Sequence, residues 1–505
     1  MTGTLGELAR AVAEARPRLA DQWEATALVE SFGYTDRVME QEFGIPHTLE
    51  AGRRIFELSK SQQPCEDAVL AVSGTGPWAR LLTRFSSSII YSVPWFFVVV
   101  SETLHPDAAG IPPEYAGPLS LALMASLISS GGMIHVIARR GLFYLCLNEP
   151  GLARRMCRRF IEIGIVMTIV ICLVSLFFGF YFQVAAPFPL LLAGLSYTLL
   201  SVLWMFCAVL SIQKHPWRIL MLFLGGVGLY AVARFAMGWS PLGAQLISAL
   251  ATVAGAGLLA VFGFGREKES DMEPMDLPRL PVLLNSLAPY FFYGAAYFSF
   301  LFADRLAAGS AISFSSGLTF GIDAAYKRGM DLALMNFLIA VAVVEYLNDL
   351  FMHHWRTQAV RRTPAESPVL RRHLLRRYLG SLLCMGTFFA LTGAGLWRMF
   401  HHLQPALFTL DTRATALVGG LGYFLLSIGL FHAVILFSLN RPAVVLYALA
   451  PALALNFATG YCLSHLLGVN YAAAGLLLGG ALFAARSCIA VCRAFTDPAY
   501  AFFAS

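Results

Sequence analysis

The sequence of 505 residues is 58% apolar and only 13% charged, with a mean hydropathy of +0.66. Soluble domains carry about 25% charged residues, so this composition excludes an ordinary soluble protein. Residues 1–80 hold 12 of the 30 acidic and 8 of the 36 basic residues, which leaves 28 basic and 18 acidic residues in the rest of the chain. We therefore expect an acidic, water-exposed part followed by a large membrane part.

Residues 1–80 are predicted to form a small helical domain on the cytoplasmic face. Apolar residues recur there at spacings of three and four, which indicates amphipathic helices. The four segments with this pattern are 5–18, 20–32, 36–43 and 49–58. The segment does not open with a basic region and an apolar run, so we expect no cleaved signal peptide. We expect this domain to hold a partner and not to form part of a transport path.

From residue 85 onward, apolar runs of about 20 residues recur, and each is long enough to cross a bilayer as a helix. We predict about twelve spans, at roughly 85–104, 117–137, 160–182, 188–210, 218–237, 243–264, 282–303, 330–351, 379–400, 416–438, 443–466 and 470–491. The predicted domains are a first six-helix bundle at 81–265, a cytoplasmic linker at 266–281 and a second six-helix bundle at 282–505.

Arginines cluster in the connections that face the cytoplasm if the amino terminus is inside. The connection after the second predicted span and the connection after the eighth are both rich in arginine, whereas residues 105–116 contain no lysine or arginine. The positive-inside rule then predicts an inner-membrane protein with both termini in the cytoplasm. The same arginines are expected to contact anionic lipid head groups.

The fourth and tenth predicted spans share a sequence pattern. Seven of the eleven residues from Leu191 to Ser201 are identical to those from Leu417 to Ser427. Six spans separate the two segments, which predicts two parallel repeats related by an axis near the bilayer normal. Pro94 and Pro289 also match, each about midway along the first span of its half. Each proline is either a tolerated kink or part of a moving gate.

Charged side chains inside membrane spans cost roughly 2.5 to 3.5 kcal/mol on insertion scales, so each is a candidate functional residue. The candidates for a substrate or ion path are Asp304, Arg305, Asp323, Asp331, Glu345, Asp349 and His432. Asp331, Glu345 and Asp349 lie within about 40° of one helical face, which indicates either a water-lined stripe or a polar face paired with arginines.

Three of these candidates, Asp304, Arg305 and His432, also have a purely structural interpretation. Asp304 and Arg305 follow directly after the seventh predicted span, where they could mark the membrane surface. His432 lies midway along the tenth predicted span and could relay protons or bond to a backbone carbonyl.

The two six-span halves, the prolines of the first and seventh spans and the basic cytoplasmic face resemble the multidrug, oligosaccharidyl-lipid and polysaccharide exporter superfamily. Within it, the segment from Tyr290 to Glu345 is similar to the membrane transporter subunit of Pel-type exopolysaccharide systems. The N-terminal extension departs from the usual pattern. The resemblance implies a transporter that moves a polysaccharide or lipid-linked glycan, with a cytoplasmic glycosyltransferase and other membrane subunits as partners.

Two alternatives to glycan export remain open. One is a cation-coupled antiporter of drugs or small solutes, and the other is a membrane scaffold that recruits a glycosyltransferase. The sequence contains no G-x-x-x-x-G-K-S/T motif, so energy is expected from an ion gradient, the substrate gradient or a partner. We expect no enzymatic activity, no cofactor, no metal and no nucleic-acid partner.

Overall fold

The computed structural model describes residues 5–15, 22–62, 113–146, 149–213, 216–264, 280–316, 320–321, 323–361, 367–403 and 405–503. Every regular element among these residues is a helix. The chain divides into two compact units, Met1–Leu81 and Leu82–Ser505.

The first unit is a small helical bundle. Its helices are α1 (Leu5–Ala15), α2 (Gln22–Ser31), α3 (Asp36–Phe43) and α4 (Thr48–Gln62). They coincide with the four predicted segments to within about four residues. Val12, Val29, Met39 and Ile55 are fully buried in a common core, which explains the apolar spacing of the four segments.

The carboxylate of Asp36 holds the first turn of α4. The backbone N–H of Thr48 donates to Oδ1 of Asp36 at 2.7 Å, and the Thr48 hydroxyl donates to the same oxygen at 2.9 Å. Hydrogen bonds to the ionised form lower the pKa of Asp36 below its ordinary value. The start of α4 is thereby fixed beside the start of α3.

The second unit consists of long helices joined by short connections. They are α5 (Pro113–Cys146), α6 (Pro150–Tyr181), α7 (Pro187–Ile212), α8 (Pro216–Ala231), α9 (Pro241–Phe262), α10 (Leu280–Ser316), α11 (Ala324–Arg361), α12 (Ser367–Leu403), α13 (Leu410–Ser438), α14 (Pro442–Leu466), α15 (Ala473–Ala494) and the short α16 (Pro498–Phe503). A π-helical turn, Val232–Ala236, follows α8, and 3-10 turns, Pro405–Leu407 and Val469–Ala472, precede α13 and α15.

Ten helices in this part of the described chain are long and apolar enough to cross a membrane, which confirms the predicted all-α polytopic fold. Helix α10, with 37 residues, is also long enough but is not among these ten. These eleven helices correspond to the second through twelfth predicted spans. The first predicted span, which contains Pro94, lies outside the described residues, as does most of the predicted linker.

Several helices extend well past the predicted spans, and this changes the position of two site residues. Helix α10 continues to Ser316, so Asp304 and Arg305 lie well inside the helix. The helix runs past the predicted span end at residue 303 because hydropathy falls where charged residues enter a helix, although backbone hydrogen bonding continues. Pro289 also lies inside α10.

The two halves of the second unit pack in the same order. In each half the second helix, α5 or α11, packs on the third and fourth helices, and the fourth packs on the sixth. Tyr197 of α7 donates to the hydroxyl of Ser129 on α5 at 2.8 Å. Tyr423 of α13 stacks on Phe337 of α11 with ring centroids 5.3 Å apart. The two matched tyrosines therefore both face the second helix of their own bundle.

Helices α5 and α10 join the two bundles through a close glycine contact. A Cβ atom added to Gly294 of α10 would overlap the Gly131 carbonyl and the His135 ring of α5. A Cβ atom added to Gly131 would lie 2.9 Å from the Gly294 carbonyl oxygen. The backbones can approach this closely only because both residues lack a side chain.

We expect Gly294→Ala to destabilise the membrane unit by about 1 to 3 kcal/mol, because the added methyl group forces the two helices apart. Thermal unfolding of the purified protein in detergent measures the effect. Gly225→Ala is the control, since an added Cβ there meets no atom within 4 Å. Equal unfolding temperatures for the two variants would contradict the close contact.

Candidate functional site

A buried ion pair lies between the first two helices of the second bundle. Nη2 of Arg305 on α10 is 2.7 Å from Oδ1 of Asp331 on α11. The side chains of Arg305 and Asp331 are only 13% and 9% exposed. Asp304, the neighbour of Arg305, is fully buried. Three charged side chains, which are unusual inside a membrane helix, thus lie together in the protein interior.

Two tyrosines complete this buried network. The hydroxyl of Tyr326 donates to Oδ2 of Asp304 at 2.8 Å. Nη1 of Arg305 donates to the hydroxyl oxygen of Tyr423 at 3.2 Å. The other oxygen of Asp304, Oδ1, is buried without a hydrogen-bond partner among the described residues. We call these five residues, Asp304, Arg305, Tyr326, Asp331 and Tyr423, the buried charged network.

The start of α11 positions Tyr326 within the network. The Asp323 carboxylate accepts the backbone N–H of Tyr326 at 2.7 Å, which is a helix N-cap interaction. The backbone carbonyl of Asp323 also accepts the N–H of Lys327 at 2.9 Å. Asp323 therefore supports the network from outside, as a capping residue, and does not belong to it.

The network contains two carboxylates and one guanidinium. Arg305 neutralises Asp331 directly, so Asp304 contributes a second negative charge that no described cation contacts at ion-pair distance. A buried carboxylate with a vacant oxygen is stabilised by binding a proton or a small cation. The chemistry available to this site is therefore reversible protonation or cation binding at Asp304.

The corresponding tyrosine of the first bundle has a neutral partner. Tyr197 corresponds to Tyr423 in the duplicated segment, but its hydroxyl donates to Ser129 and not to a charged partner. Trp204 of the same helix donates from Nε1 to Ser126 at 3.3 Å. The two matched tyrosines thus each have a polar partner, which is neutral for Tyr197 and charged for Tyr423.

A cavity of about 370 Å³ lies between the two bundles. Residues of α5, α7 and α8 form one wall, and residues of α10 and α11 form the other. Six of its lining residues are aromatic: Trp204, Phe223, Tyr297, Phe298, Phe302 and Phe337. Glu345 of α11 is the acidic lining residue, and its side chain is exposed.

The cavity and the buried charged network are in direct contact. Phe337 lines the cavity and stacks on Tyr423 of the network. Phe302 also lines the cavity, and its ring lies 6.0 Å from the guanidinium carbon of Arg305. A change of charge or geometry in the network can therefore reach the cavity wall through two aromatic side chains.

The remaining sequence candidates lie apart from this network. Asp349 is exposed on α11, one turn beyond Glu345, and does not line the cavity. His432 is fully buried, where Nε2 is 2.7 Å from the Tyr378 hydroxyl and Nδ1 is 2.9 Å from the Ser487 hydroxyl. Its ring nitrogens therefore bond to side chains of α12 and α15.

Sequence reasoning missed the roles of Tyr326 and Tyr423. Tyr423 was visible only as part of the duplicated segment, and Tyr326 only as the third residue after Asp323. The signal for Tyr326 was the Asp-x-x-Tyr spacing at a helix start, which predicts capping but no partner on another helix. Among the described residues, no group of three histidine, cysteine or acidic side chains lies close enough to hold a metal ion.

Comparisons with known proteins agree on the fold. No protein-family model matches the sequence, and a search of curated proteins gives no match. The Vibrio cholerae MATE transporter VcmN superposes with a TM-score of 0.56 at 14% identity, over 83% of this chain and 99% of that one. A MOP superfamily transporter from Pyrococcus furiosus superposes with a TM-score of 0.51 at 12% identity, over 84% and 98% of the two chains.

A MATE structure in the bent conformation gives the same result, with a TM-score of 0.51 at 13% identity over 84% of this chain and 99% of that one. This chain is a polytopic membrane protein, and it has the fold of the MATE transporters of the MOP superfamily.

Proposed function

We propose that this chain is a cation-coupled antiporter of small organic solutes that works by alternating access between its two bundles. The observation that carries the proposal is the buried charged network beside the central cavity. Asp304 would take up a proton or a monovalent cation in one state and release it in the other. The shared fold of MATE transporters supports a transport function of this kind.

The cavity supports a small organic cation as the substrate. Aromatic faces attract cations and contribute roughly 0.5 to 2 kcal/mol each, depending on how well the cation is desolvated. Glu345 adds a carboxylate to the same cavity. A volume of about 370 Å³ falls in the range of small-molecule sites, about 300 to 1,000 Å³. Shape and chemistry therefore favour a compact, partly aromatic cation.

The glycan substrate implied by the Pel-type resemblance stays a prediction, as do the inner-membrane location and the cytoplasmic termini. The N-terminal unit is proposed to bind a partner protein. Trp23 and Phe32 are 61% and 43% exposed on it, and exposed aromatic residues are common in protein interfaces.

Transport by the full chain in sealed liposomes tests the proposal. Ethidium, a planar aromatic cation, serves as the substrate, and an imposed proton or sodium gradient serves as the energy source. We expect ethidium uptake against its own gradient, which stops when an ionophore collapses the imposed gradient. Uptake that is the same in protein-free liposomes, or that does not respond to either gradient, would refute the proposal.

The matched variants Glu345→Gln and Asp349→Asn test the role of the cavity carboxylate. Gln keeps the size and hydrogen bonding of Glu345 but removes its charge, so ethidium affinity should fall about tenfold, which is about 1.4 kcal/mol. Asp349→Asn removes a charge one turn away on the same helix and should leave affinity unchanged. Fluorescence titration of ethidium gives both values. A loss of protein from the membrane with Glu345→Gln would instead assign Glu345 to a structural ion pair.

A further inference from the structure

A second cavity, of about 540 Å³, lies on the lipid-facing side of the second bundle between α12 and α13. Small residues of α12 and α13 form its sides: Gly386, Ala390, Gly393, Ala394, Ala416 and Gly420. Asn336 of α11 lies at its base, and Trp397 lies at one end. We call this cavity the α12–α13 crevice.

The crevice opens toward the membrane. Leu391 on α12 is 68% exposed, and Leu417 and Leu421 on α13 are 58% and 57% exposed. Helix α12 is the least buried of the candidate membrane helices, with 11% of its apolar window buried. In a bilayer these leucines contact lipid, so the crevice is accessible to a lipid acyl chain from the side.

The matched position in the first bundle also lines a cavity, of about 460 Å³, but its glycine is more crowded. Gly194 of α7 corresponds to Gly420 of α13 in the duplicated segment. An added Cβ on Gly194 would meet Leu176 and Cys172 of α6 at 3.2 and 3.3 Å, whereas an added Cβ on Gly420 would meet no atom within 4 Å. Both bundles therefore have a cavity at this position, and the glycine in the second bundle has more open space beside it.

The length of the crevice matches one leaflet of a bilayer. The lining residues of α12 run from Gly386 to Trp397, and at 1.5 Å per residue this distance is about 16 Å. Half of a hydrocarbon core of about 30 Å is about 15 Å. Trp397 lies at the end toward the α12–α13 connection, which is the usual place of tryptophan at a membrane surface. The crevice thus fits one extended acyl chain.

A basic group stands at the same end. The rings of Trp397 and Phe408 contact edge to face at 4.7 Å, and Nε of Arg413 donates to the Phe408 carbonyl at 3.0 Å. The two terminal nitrogens of Arg413 have no hydrogen-bond partner among the described residues. Residues 160–213, which include the α6–α7 connection, contain no lysine or arginine. The two cavities therefore differ in charge at this end, where only the α12–α13 connection is followed directly by an arginine.

We propose that the α12–α13 crevice binds one anionic phospholipid, with an acyl chain between the two helices and the phosphate on Arg413. The length, the lateral opening and the cation at the mouth together select a diacyl lipid with a negative head group. A neutral lipid can fill the crevice but leaves Arg413 without its counter-charge. The site is separate from the central cavity, because the two share no lining residue.

Native mass spectrometry of the full chain tests this inference, with phosphatidylglycerol and phosphatidylcholine of identical acyl chains as probes. We expect phosphatidylglycerol to be retained about fivefold more than phosphatidylcholine, the factor that one basic side chain near an anionic surface contributes. Arg413→Gln should make retention of the two lipids equal. Glycerol 3-phosphate should not displace the lipid, and displacement by it would show a free-anion site and overturn the proposal.

Gly420→Leu fills the crevice and should lower retention of both lipids at least fivefold. Gly395→Leu is the matched control, because Gly395 is exposed on α12, lies outside the crevice and offers open space to a new side chain. Both variants should unfold at the temperature of the unchanged protein within a few degrees. Equal lipid retention by Gly420→Leu and Gly395→Leu, or no preference for phosphatidylglycerol in the unchanged protein, would overturn the proposal.

Discussion

Replacing Arg305 by leucine is expected to remove most of the folded protein from the membrane. Arg305 is the only described cation that contacts Asp331, and it also donates to Tyr423. Removal of one partner from a buried ion pair costs about 3 to 5 kcal/mol, because the remaining charge is left uncompensated. Proteins are stable by about 5 to 15 kcal/mol in total, so this loss is a large share. The protein content of isolated membranes and thermal unfolding in detergent both measure it.

Two further variants separate charge balance from packing. The double variant Arg305→Leu with Asp331→Leu removes both charges of the pair and should recover much of the lost stability. Arg158→Leu is the control for the loss of an arginine, since Arg158 forms an exposed pair with Glu162 at 2.9 Å and such pairs contribute at most about 1 kcal/mol. If Arg305→Leu and Arg158→Leu behave alike, Arg305 does not compensate a buried charge.

The fold and the site differ in how much of them the sequence predicts. Apolar runs and the identity between residues 191–201 and 417–427 depend on local composition, so they predict the spans and the repeat. The pairing of Asp304 with Tyr326 depends on how α10 packs against α11, which hydropathy does not encode. The charges themselves shortened the predicted seventh span, so the sequence left open whether Asp304 marks the membrane surface, and the structure buries it.

The two matched glycines of the repeat, Gly194 and Gly420, also have surroundings that the sequence does not predict. The sequence shows Gly194 and Gly420 as equivalent members of the repeat. Their surroundings differ because α6 presents Leu176 to Gly194, whereas α12 presents glycine and alanine to Gly420. How much open space lies beside each glycine therefore depends on the facing helix. Periodicity within one helix cannot supply that information.

Asp304→Asn is expected to reduce gradient-driven ethidium uptake at least tenfold while the protein remains folded. Asparagine keeps the shape of the side chain and can still accept the hydroxyl of Tyr326, which lies 2.8 Å from Oδ2. It cannot bind and release a proton, and its neutral amide attracts a cation far less than a carboxylate does. Removal of a buried, uncompensated charge should leave the free energy of unfolding within about 1 kcal/mol of its original value or raise it.

The matched control for this variant is Asp323→Asn, which removes a carboxylate near the network but keeps an N-cap residue for α11. It should retain most of the ethidium uptake. Ethidium affinity at equilibrium should be unchanged in Asp304→Asn, because Asp304 does not line the cavity. A variant that binds ethidium normally, unfolds normally and no longer responds to the gradient would locate coupling at Asp304. Full uptake by Asp304→Asn would mean that the buried charge serves the packing of α10 against α11 and that ions are coupled elsewhere.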